Sequence, residues 1–233
     1  MRFSKWHALG NVYLVAEQAE LPAPLSPETV RAAVGDADGI VEVLSRADDA
    51  VDVLIWNVDG STAEMSGNGT RIAARWLAAQ TGAETVVVRV GPRDVRARLL
   101  GAADVETDLG EVQVVESERI AGLRVTPVIV GNPHAVVAGD PADLPLIGPL
   151  LETHPRFPNR TNVEVAELSA VGEVSARVWE RGVGETAASG TGAVAVAAAL
   201  EQNPAIVHFP GGDLRVRFEG NRALLTGPAE RIC

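Results

Sequence analysis

Two short stretches carry the same chemistry. Ser66-Gly67-Asn68-Gly69 and Ser189-Gly190-Thr191-Gly192 each set a hydroxyl and two glycines ahead of an apolar, alanine-rich run. Glycine lets a backbone approach a ligand closely. The helix that follows leaves its first N–H groups unpaired and carries partial positive charge at that end. Loop and helix together make an anion cradle. Neither loop runs on into Gly-Lys-Ser/Thr, so neither is a nucleotide P-loop. Two such cradles opposed to each other would suit a carboxylate, and would stabilise negative charge growing on the adjacent carbon. The two serines would then lie on opposite faces of that carbon. The plainer role for each serine is an N-cap, which serine fills well.

Such loops need elements to aim them. The patterning predicts helices over Asn68–Thr81 and Thr191–Gln202. A third is predicted in "SPETVRAAVG", with Ser26 as N-cap, Pro27 at the first helical position and Gly35 ending it. Strand-like runs are more numerous: "RFSKWHA", "DVLIWNV", "ETVVVRV", "VRARLL", "TPVIVG", "EVSARVWERG" and "LRVRF". Many strands with few helices indicate an α+β fold. The chain also repeats itself. Gly10-Asn11 matches Gly131-Asn132, 121 positions later; Trp56-Asn57 matches Trp179-Glu180 and Ser66-Gly67 matches Ser189-Gly190, each 123 positions later. The collinear order predicts two similar, pseudo-symmetric halves, residues 1–118 with the Ser66 loop and helix, and 119–233 with the Ser189 loop and helix.

Composition excludes several function classes. The chain of 233 residues has 20 Lys+Arg against 31 Asp+Glu and a net charge of −11, which argues against a nucleic-acid partner. The start "MRFSKWHALG" has no apolar core of signal-peptide length, and no apolar run is long enough to span a bilayer. A cytoplasmic protein with no membrane partner is the expectation. The single cysteine, Cys233, permits no intrachain disulfide, and four scattered histidines predict no metal site.

"KWHALGN", "WNVDGSTAEMSGNGTRIAARWL", "DLGE", "GNPHAVV", "RTNVE" and "ERGVGETAASGTGAVAVAAAL" occur in that order and cover most of the chain. The ordered set resembles the diaminopimelate epimerase family. The resemblance implies two similar halves, each a curved sheet wrapped around a central helix, with the active site in the cleft between them. It implies epimerisation of LL- and meso-diaminopimelate, in lysine and peptidoglycan precursor synthesis, with no pyridoxal phosphate or other cofactor. The partner is then a small amino acid, with a homodimer as the candidate assembly. In the family one residue removes the α-proton from one face while its partner delivers a proton to the other.

The resemblance also assigns residues. Ser66 and Ser189 fall on the proton-transfer positions, with His134 and Glu180 as groups that could activate them. Substrate recognition falls to Asn11, Asn57, Asn132, Asn162, Glu180 and Arg181, and the α-carboxylate to the backbone of Gly67, Asn68, Gly190 and Thr191. A zwitterion calls for this set: an Arg fork for carboxylate, an acid for ammonium, amides for both. Four departures stand out. The family has cysteine where this chain has Ser66 and Ser189. It usually has Asp where this chain has Val12. "GDADGIVEV" keeps only part of its counterpart, and the chain is shorter than typical members. A thiol ionises near pH 8.5 and is tuned lower at a helix N-terminus. A serine hydroxyl is several units less acidic and is a weak base unless activated. Three readings of the double serine stay open: an engineered pair, a natural relative with altered isomerase chemistry, or a binder of diaminopimelate or another amino or imino acid that has lost catalysis.

Overall fold

The computed structural model describes residues 3–63 and 65–232; Cys233 lies outside them. Two units divide the chain. The first holds the residues up to Asp108 and those from Thr226 onward, and the second runs from Leu109 to Leu225. The sequence repeat places the boundary at 118/119 instead. Strand pairing accounts for the difference, as the following elements show.

In the first unit, β1 (Ser4–Ala8) and β2 (Asn11–Glu17) form a hairpin whose two-residue turn, Leu9-Gly10, has φ of 51° and 85°. Positive φ at both central positions matches the twist of a hairpin, and glycine supplies it without strain. β3 (Gly39–Arg46) lies parallel to β2, and β4 (Ala50–Asn57) antiparallel to β3. β5 (Thr85–Val90) is parallel to β4, followed by antiparallel β6 (Arg93–Leu100) and β7 (Asp104–Glu111). A parallel pair needs a crossover, and helices occupy both. α1 (Pro27–Ala33) connects β2 to β3; its Ser26 side chain caps Thr29, whose hydroxyl returns the bond to the Ser26 amide. Val30 fixes α1 against Leu25, Val34, Ile40 and Trp56. α2 (Gly67–Thr81) connects β4 to β5 and touches β1 through β6, so the sheet wraps around it.

The second unit repeats the plan. β8 (Gln113–Val114) and β9 (Glu118–Ile120) both pair with β10 (Leu123–Ile129), which is why residues 109–118 go with this unit. β10 and β11 (Pro133–Ala138) are antiparallel, and β12 (Asn162–Ala170) is parallel to β11. The crossover between β11 and β12 carries α3 (Leu144–Glu152). β13 (Glu173–Glu180) is antiparallel to β12, and β14 (Gly184–Thr186) folds back on it. α4 (Gly190–Ala199) leads to β15 (Ala205–Phe209), parallel to β13, and then to antiparallel β16 (Gly212–Glu219). α4 is buried all round from Gly190 to Ala197 and touches β10 through β13, β15 and β16. A helix apolar on every side needs such an enclosure. β17 (Arg222–Pro228) returns the chain to the first unit, where β18 (Glu230–Arg231) pairs with β1. Even the register irregularity recurs, between Val43 and Ser45 on β3 and between Leu168 and Ala170 on β12.

The helices expected over 68–81 and 191–202 are α2 and α4, and the Ser26 helix is α1. Sequence patterning missed α3, because Pro145, Gly148 and Pro149 read as breakers. Gly148 is there for contact: a Cβ on it would come within 2.8 Å of the Trp179 ring.

Candidate active site

Each unit builds a serine at the mouth of its central helix. In the first, Ser66 has extended backbone (φ −139°, ψ 115°) and its Oγ accepts the Gly69 amide at 3.1 Å. The Tyr13 hydroxyl lies 3.5 Å from the same oxygen. An N–H donated into Oγ stabilises negative charge there. Behind the loop sits Arg71, 0% exposed. Its Nη1 donates to the Gly67 carbonyl at 2.9 Å and its Nη2 to Asn68 Oδ1 at 2.8 Å, so a guanidinium holds the backbone and side chain of the cradle in place. Burial pushes the Arg71 pKa down to about 10, while interactions with Tyr13 and Asp104 oppose the shift.

Asn11 is buried on β2, two residues before Tyr13. Asn57 ends β4 and serves the adjoining turn: its Nδ2 donates to Ser61 Oγ at 2.9 Å. Bonds from the Ser61 hydroxyl and amide hold the Asp59 carboxyl below its ordinary range.

In the second unit Ser189 caps α4 in the same way, with φ −131°, ψ 127° and Gly192 N–H donated to Oγ at 3.2 Å. A connected network stands beside it. His134, 1% exposed, has Nδ1 at 2.7 Å from Glu164 Oε1 and Nε2 at 2.9 Å from Asn132 Oδ1. Asn132 Nδ2 then donates to Thr191 Oγ1 at 3.4 Å, on the first turn of α4. Glu164 and Ser189 both lie against Gly192, where only a glycine fits: a Cβ there would lie 2.8 Å from Glu164 Oε1 and 3.0 Å from Ser189 Cβ. Both ring nitrogens of His134 are engaged, so its geometry is that of a group orienting Asn132. Accepting a substrate proton would require one of those bonds to be remade.

The remaining residues gather at the end of β13. Asn162 donates through Nδ2 to the Pro133 carbonyl at 2.9 Å and accepts the Arg181 amide on Oδ1 at the same distance. The Arg181 guanidinium donates to the Asn159 carbonyl at 3.4 Å. Glu180 Oε1 accepts the Thr186 hydroxyl at 2.6 Å. Sequence reasoning singled out neither Tyr13, Arg71 nor Glu164. Arg71 and Glu164 lie inside quoted motifs and Tyr13 two residues beyond one; an arginine in the first turns of an alanine-rich helix was the one visible signal. Among the described residues no three His, Cys, Asp or Glu groups gather as a metal site, and no helix is long and apolar enough to cross a membrane.

The profile of the diaminopimelate epimerase family matches residues 3–115 and 126–232. A diaminopimelate epimerase of Desulforudis audaxviator is 38% identical, over 100% of this chain and 97% of the relative. One of Synechococcus elongatus is 37% identical, over 100% and 96%. The first alignment runs over 273 positions against a chain of 233, so at least 40 positions meet no residue here. Among solved structures, a hydroxyproline epimerase from Agrobacterium vitis is similar with a TM-score of 0.73 at 14% identity, covering 98% of this chain and 88% of that one. A PhzF-family phenazine biosynthesis protein from Bacillus anthracis gives 0.74 at 14%, covering 100% and 98%. At those identities the likeness is one of fold.

Proposed function

The chain belongs to the diaminopimelate epimerase family, and from that premise we propose that it interconverts LL- and meso-diaminopimelate without pyridoxal phosphate. One observation carries the reading: each unit presents a serine hydroxyl at the N-terminus of its buried central helix, bonded to the amide three residues on. A helix start stabilises the negative charge that develops when an α-proton leaves. In this reading one serine takes that proton and the other returns one, so the stereocentre inverts. The amides of Gly67, Asn68, Gly190 and Thr191 hold the α-carboxylate and spread the carbanion charge onto it. Arg181 and Glu180 take the distal carboxylate and ammonium, with Asn11, Asn57, Asn132 and Asn162 completing the amide contacts. His134 keeps Asn132 aimed. The close family relatives favour a working isomerase over a binder that has lost catalysis. The same reading puts the reaction in the cytoplasm, with a homodimer as the assembly that sedimentation would test.

Titration calorimetry with LL- and meso-diaminopimelate should give saturable heat, and α-proton exchange in D₂O should follow by NMR. Arg181→Ala should weaken binding by roughly 2–5 kcal/mol, as for one partner of a buried charge pair. A folded sample that binds neither isomer would reject diaminopimelate as the substrate.

A further inference from the structure

A serine at a proton-transfer position needs a partner, and the first unit supplies one in the Tyr13 phenol. Ser66 Oγ is approached by the Gly69 amide at 3.1 Å and by the Tyr13 hydroxyl at 3.5 Å. The phenol contact is longer than the usual O–H···O distance near 2.8 Å, so the two oxygens are adjacent at the outer reach of a hydrogen bond. The ring is held where it is. Tyr13 on β2 stands in register with Gly39 on β3, and a Cβ at Gly39 would come within 2.7 Å of Tyr13 Cε1 and 2.5 Å of the Trp56 carbonyl. The second unit pairs His134 with Asn162 at the same step of the same parallel ladder. Both rings follow an asparagine by two residues, Asn11 and Asn132. The repeat therefore sets a titratable ring at the equivalent position of each unit, one beside Ser66 and one beside Glu164. Arg71, buried behind the Ser66 loop, interacts electrostatically with Tyr13, and a nearby guanidinium favours a phenolate.

We infer that Tyr13 is a positioning residue acting through Ser66, as the group that exchanges a proton with the serine hydroxyl during α-proton transfer. The inference rests on the epimerase reading. As the α C–H bond breaks, its electron pair stays on carbon and the proton passes to Ser66 Oγ. The hydroxyl's own proton moves to the Tyr13 phenolate, giving phenol. The reverse step returns both protons, and no electrons change hands. An unperturbed phenol near pKa 10 is ionised to about one part in a thousand at pH 7, so the exchange rate should climb on the alkaline side.

Tyr13 is the chain's only tyrosine, so tyrosinate absorbance titrates this residue alone. The alkaline limb of α-proton exchange should share its midpoint with that titration. Tyr13→Phe should remove the limb and slow exchange by about 10²–10⁴-fold, as for loss of a general acid–base group, while calorimetry still finds substrate bound. In the Ser66→Cys background the same change should cost less, since residues sharing one step act non-additively. Fluorotyrosine at position 13 keeps the ring and its hydroxyl but makes the phenol more acidic, so the limb should move to lower pH; this variant decides the matter even if Tyr13→Phe does not fold. A limb that stays in place in either variant overturns the relay, and a slower rate with an unmoved limb leaves Tyr13 a packing role only. An unchanged protein that exchanges protons while Tyr13→Phe behaves identically overturns the inference and spares the epimerase reading. An unchanged protein that neither binds nor exchanges overturns both.

Discussion

Replacing Ser66 and Ser189 together by cysteine separates what the hydroxyls do for the fold from what they do for protons. Each Oγ accepts one helix amide, at 3.1 Å and 3.2 Å. A thiol is a weak acceptor, so each substitution forfeits most of a cap worth about 0.5–2 kcal/mol. The Ser189 change should sit at the upper end. That residue is buried and packs against Gly192, where an added Cβ would lie 3.0 Å from Ser189 Cβ. For a chain of this size about 1 kcal/mol lowers Tm by roughly 2–4 °C, so the double variant should melt several degrees earlier. Activity should move the other way. A thiol ionises near pH 8.5, lower at a helix N-terminus, and a base poised near the working pH is worth about 10²–10⁴-fold. The assay is α-proton exchange in D₂O followed by NMR, beside conversion of LL to meso isomer and a melting curve. Either single cysteine should gain less than the pair, because inversion needs a donor as well as an acceptor. A double variant as stable as the serine protein would show that the caps contribute nothing. One that binds substrate yet exchanges no proton, or a serine protein that already exchanges as fast, would refute the claim that the hydroxyls limit proton transfer.

Two further outcomes are expected. Gly39→Ala should destabilise by about 1–3 kcal/mol, as overpacking does, and should slow exchange by displacing the Tyr13 ring; denaturant melts and the NMR assay read the two effects. For Arg71, burial lowers the folded-state pKa to about 10, well below that of a free guanidinium, a difference worth about 3 kcal/mol. Between those values the unfolded chain binds more protons, so this group's contribution rises with pH there and its burial penalty is constant below. The stability of the unchanged protein relative to Arg71→Met should therefore improve between about pH 9 and about pH 11, by up to about 1.4 kcal/mol per pH unit. Urea titration of both proteins at the two pH values checks it, and a difference that stays flat would refute the buried charge.

Elements with local punctuation were legible in the sequence. α1 announces itself through Ser26-Pro27, and α2 and α4 through glycine and serine followed by alanine. The Gly10 and Gly131 turns recur because a tight turn demands positive φ in both units. The elements that stayed hidden are set by tertiary contact. α3 tolerates Pro145 at its start and Gly148 against the Trp179 ring, where local propensity predicts a break. β3 and β12 each carry a fully buried glutamate, Glu42 and Glu164, in mid-strand. Charge in an apolar run reads as a loop until its partners are known: Trp56 Nε1 at 2.9 Å for Glu42 and His134 for Glu164.

The candidate site divides along the same line. Ser66 and Ser189 are visible because a helix start leaves a local signature. Tyr13, Glu164 and Arg71 are not, because each matters through register or a contact across the fold: Tyr13 through its ladder step with Gly39, Glu164 through the gap at Gly192, Arg71 through the carbonyl of Gly67. The repeat makes that divergence readable once the pairing is known. Backbone plan, crossover helices and capping serines are common to both units. Side chains at matched positions differ: Tyr13 against His134, Gly39 against Asn162, Asn57 against Glu180. The second unit carries the histidine–carboxylate pair of His134 and Glu164 and the adjoining Glu180 and Arg181. The first carries a phenol and a buried guanidinium behind its serine. Two serines on one scaffold thus meet different surroundings.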